Sequence, residues 1–231
     1  MKSQNAQAHT LAAPSEWVVR WTHLIEGVGK LSSSFPHEVS VDGAFASTTT
    51  NDLTVLDVAC GSGRHMKWLH EQGLKVLGVD RDTQALEHCQ AYGEVLQADL
   101  EQHSQSTADG QAFGEPGHKA GPWPFKDRQF SAIIVTNYLW RPLFDDLLNS
   151  LRENGVLIYE TFAQGHQTIG RPSRAEFLLN SGELLQICTN LHIIAYEEVL
   201  LANPERFVQR IVAIRAPKEV SLFQRYRPTS R

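Results

Sequence analysis

Three cysteines, Cys60, Cys89 and Cys188, are all that this 231-residue chain carries, too few and too scattered for a disulfide framework. The thiols therefore read as those of a reduced, cytoplasmic protein. No apolar run approaches the ~20 residues that span a bilayer, and residues 1–13, with one lysine and no long apolar stretch, do not read as a secretory signal. Net charge is −5, which removes any global attraction for nucleic acid while leaving room for a local basic patch. The ten histidines and three cysteines form no His-x-x-x-His or Cys-x-x-Cys pair, so no metal site is expected. The phosphate-loop string Gly-x-x-x-x-Gly-Lys-Ser/Thr and any internal repeat are missing as well. What is present, 42% hydrophobic and 20% charged residues, suits one α/β domain with a sizeable core.

The most informative stretch runs from Val55 to His65. An apolar run, Val55 to Val58, meets a small-residue turn, Ala59 to Gly63, and a helical pattern starts near Arg64. Amides at a helix start attract polar and negative groups, and glycines let backbone approach a ligand. A dinucleotide fingerprint would need Gly-x-Gly-x-x-Gly, but the frame from Gly61 ends on Met66. What remains is Asp57-x-Ala59-x-Gly61-x-Gly63. Ala59 is expected at negative φ, because the left-handed region costs a non-glycine residue about 1 kcal/mol or more.

Two further apolar runs end in an acid: Lys75 to Asp80 and Val95 to Asp99. A carboxylate at the end of a second parallel strand can accept two hydrogen bonds from a ribose diol; the plainer alternative for Asp80 is a cap on the helix starting near Asp82.

Together these residues resemble the motifs of class I S-adenosylmethionine (SAM)-dependent methyltransferases, over roughly Trp17 to Ala213. The departure is Ala59, where the family pattern has its first glycine. A narrower similarity, through Cys60-Gly61-x-Gly63-Arg64 and Gly182-Glu183-Leu184, is to the small tellurite/thiopurine-resistance-like subgroup. The resemblance implies a single doubly wound, Rossmann-like domain with a mostly parallel seven-stranded sheet and a C-terminal antiparallel hairpin. It implies SAM as cofactor, held by Asp57, Ala59, Gly61 and Gly63 at the turn, Asp80 and Arg81 at the ribose, Asp99 and Leu100 at the adenine, and Asn137 near the methyl.

Along the chain, residues 1–13 read as a loose tail and 15–28 as a helix capped by Ser15, with Trp17, Trp21, Leu24 and Val28 on one face. That helix either packs on the domain or closes over the ligand through Trp17 or Trp21. A connection, 29–52, leads to the first strand. Residues 101–124 lack periodicity and read as a surface insertion, with an active-site flap as the alternative. Strand four is expected at 130–135, a helix over 143–151 stopping at Asn154-Gly155, strand five at 155–161, a helix near 181–188, and strands at 191–200 and 206–214. Domain limits of 14–216 follow, with a basic tail over 217–231.

Methyl transfer from a sulfonium is an in-line displacement, so the protein mainly positions the reactants. Tyr138 and Trp140 offer aromatic faces after strand four, or pack beneath the insertion. Glu160 and His166 are candidate proton acceptors. His65, Arg141 and Arg171, with Trp17 and Trp140, are candidate substrate contacts, and Arg64 stands beside His65 at the helix start within reach of a carboxylate. The acceptor is expected to be a small molecule, since the chain is acidic and lacks the Pro-Pro-Tyr/Phe of base methylases. RNA or protein methylation through Arg141, Arg171, Arg174 and the tail is the alternative enzyme reading. A scaffold that binds SAM, or nothing, without turnover is the non-enzymatic one.

Overall fold

The computed structural model describes residues 11–25, 53–101 and 123–216. The expected connection 29–52, nearly all of the expected insertion 101–124, most of the expected tail 1–13 and the basic tail 217–231 lie outside the described residues.

Seven strands form one sheet: β1 (Thr54–Val58), β2 (Lys75–Asp80), β3 (Glu94–Gln97), β4 (Phe130–Thr136), β5 (Leu151–Phe162), β6 (His192–Ala202) and β7 (Glu205–Ile214). Their order is β3-β2-β1-β4-β5-β7-β6. β1 pairs in parallel with β2 and β4, β2 with β3, and β4 with β5. β7 inserts antiparallel between β5 and β6. This is the expected doubly wound sheet with its terminal hairpin. β1 and β4 are buried along their whole length, as near-continuous Val/Leu/Ile runs require when a parallel sheet is covered on both faces.

The two-residue period sorts the strand side chains into two cores. Leu56, Val58, Ile133, Val135, Leu157 and Tyr159 face one side, where Leu143, Leu147 and Leu184 cover them. Val55, Ala132, Ile134, Val156, Ile158 and Val212 face the other. That second side is covered by α1 (Glu16–Trp21), α2 (Arg64–Glu71) and α3 (Thr83–Cys89), through Trp17, Met66, Leu69 and Leu86. Ser15 caps α1 as expected, accepting from the Trp17 amide at 3.1 Å.

Around strand five the structure differs from the sequence pattern. The helix after β4, α4 (Phe144–Asn149), stops before Leu151, and β5 already begins there, pairing Leu151 with Phe130. The Leu151 side chain is fully buried against the sheet. Strand pairing overrides the helical spacing of Leu147, Leu148 and Leu151. Asn154-Gly155 is a left-handed kink inside β5, with Asn154 at φ 61, rather than a helix stop.

Candidate active site

The turn after β1 is bolted to the end of β2. The Cys60 amide donates to the Val79 carbonyl at 3.1 Å. The Gly61 amide donates to Asp80 Oδ2 at 2.8 Å, and the other Asp80 oxygen accepts from the Asp82 amide at 3.0 Å. The capping role falls to Asp82, whose side chain accepts from the Gln84 and Ala85 amides. Asp80 thus ties the glycine turn to the second strand, and of its roughly four lone-pair positions two remain for a ligand.

The expected negative φ of Ala59 is not what the structure has: Ala59 sits at φ 52. The turn must leave β1 sharply to bring Gly61 back onto Asp80, and the amide bonds of Cys60 and Gly61 hold the strained conformation in place. Asn137, at the end of β4, also lies at φ 55; asparagine visits this region more readily than most residues. Strained backbone at the ends of two adjacent strands is a common mark of a functional site.

Between these two strand ends opens a cavity of about 660 Å³. Its walls are Ala59 to Ser62, Arg64 and His65 from the turn and α2, Thr136 and Asn137 from β4, and Asp82, Gln84, Ala85 and His88 from the start of α3. Leu11 and Ala12 close one side. Of the expected site residues, Ala59, Gly61, His65 and Asn137 meet here. Arg64 lies beside His65 as expected, and Ser62, Thr136 and the Gln84/His88 face of α3 join them. The four-residue spacing of Gln84 and His88, just past Asp82, is the signal by which that face could have been found.

Beneath the turn lies Asp57, 1% exposed. Burial raises its carboxyl to about 7, against the lowering effect of Arg64 and with a further rise from Asp80, while the Met66 amide lowers it. One of its oxygens, Oδ2, has no hydrogen-bond partner among the described residues. His65 is equally buried, and burial first, then Arg64, lowers it to about 3. Its Nε2 accepts from the Ser15 amide at 3.1 Å, so the neutral ring carries its proton on Nδ1, 3.4 Å from the Thr136 hydroxyl. Among the described residues Arg64 makes only long contacts, 3.4 Å each, to the Ala13 carbonyl and to Thr136 Oγ1.

Farther along the strand ends, Asp99 accepts from the Glu101 amide at 3.0 Å, and Leu100 is buried in the core. Tyr138 stands near both acids: its hydroxyl is buried without a partner among the described residues, and burial, then Glu101 and Asp99, raise its pKa. Arg81 is exposed and lies 3.9 Å from Glu101. Gly63 caps α2 at φ 83. None of these lines the cavity.

Other candidates are engaged elsewhere. Trp17 is not a lid: it is buried in the core under the sheet, its indole donating to the Ile211 carbonyl at 3.3 Å. Glu160 is buried, accepting from the Ser15 hydroxyl at 3.0 Å and lying 3.7 Å from Arg206 and 3.5 Å from Arg210. Arg141 is withdrawn from any substrate by a bidentate pair with Glu183, at 2.7 and 2.9 Å, and by the Glu176 and Leu178 carbonyls. His166 is buried against Phe162, with Nε2 3.0 Å from the Arg171 carbonyl, and the Arg171 side chain is exposed. Trp140 packs against the first core. Among the described residues no three His, Cys, Asp or Glu side chains gather to hold a metal, and no helix is long and apolar enough to cross a membrane.

Residues 55–155 match the family model described as a methyltransferase domain. No curated protein matches the sequence. The fold is shared with TehB of Haemophilus influenzae, at TM-score 0.52 and 15% identity, over 72% of this chain and 58% of that one. It is shared with an S-adenosylmethionine-dependent methyltransferase of Mesorhizobium loti, at TM-score 0.51 and 17% identity, over 71% and 91%. A SAM-dependent methyltransferase of Methanosarcina mazei aligns at TM-score 0.50 and 13% identity, over 71% and 92%. This chain therefore spans little more than half the length of the Haemophilus protein. The match identifies residues 55–155 as a methyltransferase domain, and the sheet order and overall fold are shared with these SAM-dependent methyltransferase structures.

Proposed function

We propose that the protein binds SAM across the ends of β1, β2 and β4 and transfers its methyl group to a small-molecule acceptor. The observation that carries this reading is the Asp80–Gly61 bond beside an open cavity. It fixes a left-handed glycine turn whose Gly61 has no heavy atom within 4 Å of where a Cβ would lie, so ligand can approach the backbone there. The unfilled lone pairs of Asp80 suit a ribose diol, and the unpartnered hydroxyl of Tyr138 beside Asp99 suits a polar base edge.

SAM would supply a methyl group already activated on a sulfonium. The chain's own work is then to bind, align and exclude water. Arg64, held only by long contacts, is the guanidinium free to turn toward a carboxylate in the cavity. Asn137, exposed at the strained end of β4, is placed to orient an acceptor. Neutral His65 keeps Thr136 and Ser15 in register and carries no charge toward the ligand. The partial closure of the cavity by Leu11 and Ala12 and the negative net charge favour a small acceptor over a polynucleotide.

The test is calorimetric titration of S-adenosylhomocysteine into wild-type protein and Asp80→Ala. Expected is binding by wild type and a loss of about tenfold or more in the variant, the scale of one or two charge-assisted bonds. Equal affinity in both would refute the assignment of Asp80. Release of S-adenosylhomocysteine from SAM with a panel of small nucleophiles then tests transfer itself.

A further inference from the structure

Two of the three cysteines meet under the glycine turn. Cys60 sits within it, and Cys89 ends α3. Both sulfurs approach the Gly61 carbonyl, at 3.7 and 3.2 Å, so one carbonyl oxygen is shared between two buried thiols. The backbone around them is shaped to their bulk. A Cβ on Gly63 would lie 2.7 Å from Cys89 Sγ, and one on Gly78 would collide first with Met66 Sδ and then lie 2.8 Å from Cys60 Sγ. Glycine therefore stands where a side chain would displace one of the sulfurs or Met66. Cys60 also lines the cavity, which gives a small solute a route to the pair.

We propose that Cys60 and Cys89 are an oxidation site: a hydroperoxide converts them to a reversible disulfide that pins the glycine turn to α3 and weakens ligand binding at the turn. The sulfur that a peroxide can reach is Cys60, which lines the cavity, whereas Cys89 is fully buried. The Cys60 thiolate takes the terminal peroxide oxygen and becomes a sulfenic acid, and the departing alkoxide takes a proton to leave as an alcohol. Cys89 then attacks the sulfenic sulfur, the S–S bond forms, and the hydroxyl leaves with the Cys89 proton as water. Two thiols and one hydroperoxide give one disulfide, one alcohol and one water; with hydrogen peroxide the alcohol is a second water.

A disulfide sulfur separation of about 2.05 Å draws both atoms inward and removes their S–H contacts to the Gly61 carbonyl. Gly61 is the residue whose amide Asp80 holds. Oxidation thus acts on the peptide at the centre of the proposed cofactor site; this consequence, unlike the bond itself, rests on that function.

The experiment uses the full chain with Cys188→Ser, which removes the remaining thiol, a buried core residue away from the turn. Protein is treated with hydrogen peroxide, with and without S-adenosylhomocysteine, and digested without reductant. Expected is a peptide linking Cys60 to Cys89, lost on dithiothreitol and formed more slowly when ligand fills the cavity. Calorimetry on oxidised protein should show an affinity about tenfold lower, restored by dithiothreitol, while Cys89→Ala keeps its affinity through the oxidant. Absence of the linked peptide overturns the site. A linked peptide with unchanged affinity overturns the effect on the turn. Failure of the reduced protein to bind S-adenosylhomocysteine overturns the cofactor reading instead, and peptide mapping still decides the disulfide.

Discussion

Asp57 and His65 flank the same turn and are buried in opposite senses, which makes a pair of isosteric substitutions diagnostic. Asp57, raised from 3.8 to about 7, is protonated in the fold and ionised in the unfolded chain between those values. Its contribution to stability is fully present below about pH 4 and is lost as pH rises through 7. His65, lowered from 6.5 to about 3, is neutral in the fold and charged in the unfolded chain between those values. Its contribution is present above pH 6.5 and is lost as pH falls toward 3. One proton bound or released on unfolding changes stability by about 1.4 kcal/mol per pH unit. Between pH 4 and 6.5 the two slopes have opposite signs and cancel. Asp57→Asn should therefore make the stability slope more positive than wild type by about 1.4 kcal/mol per unit over this window, roughly 3 kcal/mol in all. His65→Gln, which can still accept from Ser15 and donate to Thr136, should make it more negative by a similar amount. Urea unfolding at half-unit pH steps, reported as variant minus wild type so that common titrations drop out, measures both. Parallel curves for wild type and either variant would refute the burial-driven protonation states. Slopes of equal sign would refute their opposition.

The remaining predictions concern packing and anchoring. Arg141→Ala should lower stability by about 1.5–3 kcal/mol, the scale of hydrogen bonds to a charged partner, because it strips Glu183 and two carbonyls of one guanidinium; it should leave S-adenosylhomocysteine affinity alone, and a selective loss of affinity would return Arg141 to the ligand site. Gly63→Ala, at φ 83 with Cys89 Sγ 2.7 Å from the new methyl, should cost about 2–4 kcal/mol in urea unfolding. Gly61→Ala, at φ 54 but with open space around it, should cost only about 1–2 kcal/mol; equal costs would mean the thiols yield freely.

Most of the sheet was legible because buried parallel strands write themselves as unbroken apolar runs. Val55 to Val58 and Phe130 to Val135 could hardly be anything else, and the acids closing the first runs mark the carboxyl edge of the sheet. The misread positions share a cause: a distant partner outweighed local preference. Ala59 takes a left-handed φ because Gly61 must reach Asp80. Leu151 leaves its helical stripe because Phe130 waits across the sheet. Trp17 and Arg141 are residue types that often face ligands, and only tertiary structure reveals their partners Ile211 and Glu183. The Gln84/His88 wall was overlooked because a helix face one turn past a strand-end acid has no composition of its own.

The docking of α1 bears on how this protein is made. The Trp17 indole is bonded to the carbonyl of a residue 194 positions later, and Ser15 to the carboxylate of Glu160. At about 5–20 residues per second, a ribosome takes roughly 10–40 s to pass from the first of these partners to the last. The earliest described helix of the chain is thus among the last to be secured. Until β5 and β7 emerge, its apolar face lacks the last of the strands it docks on.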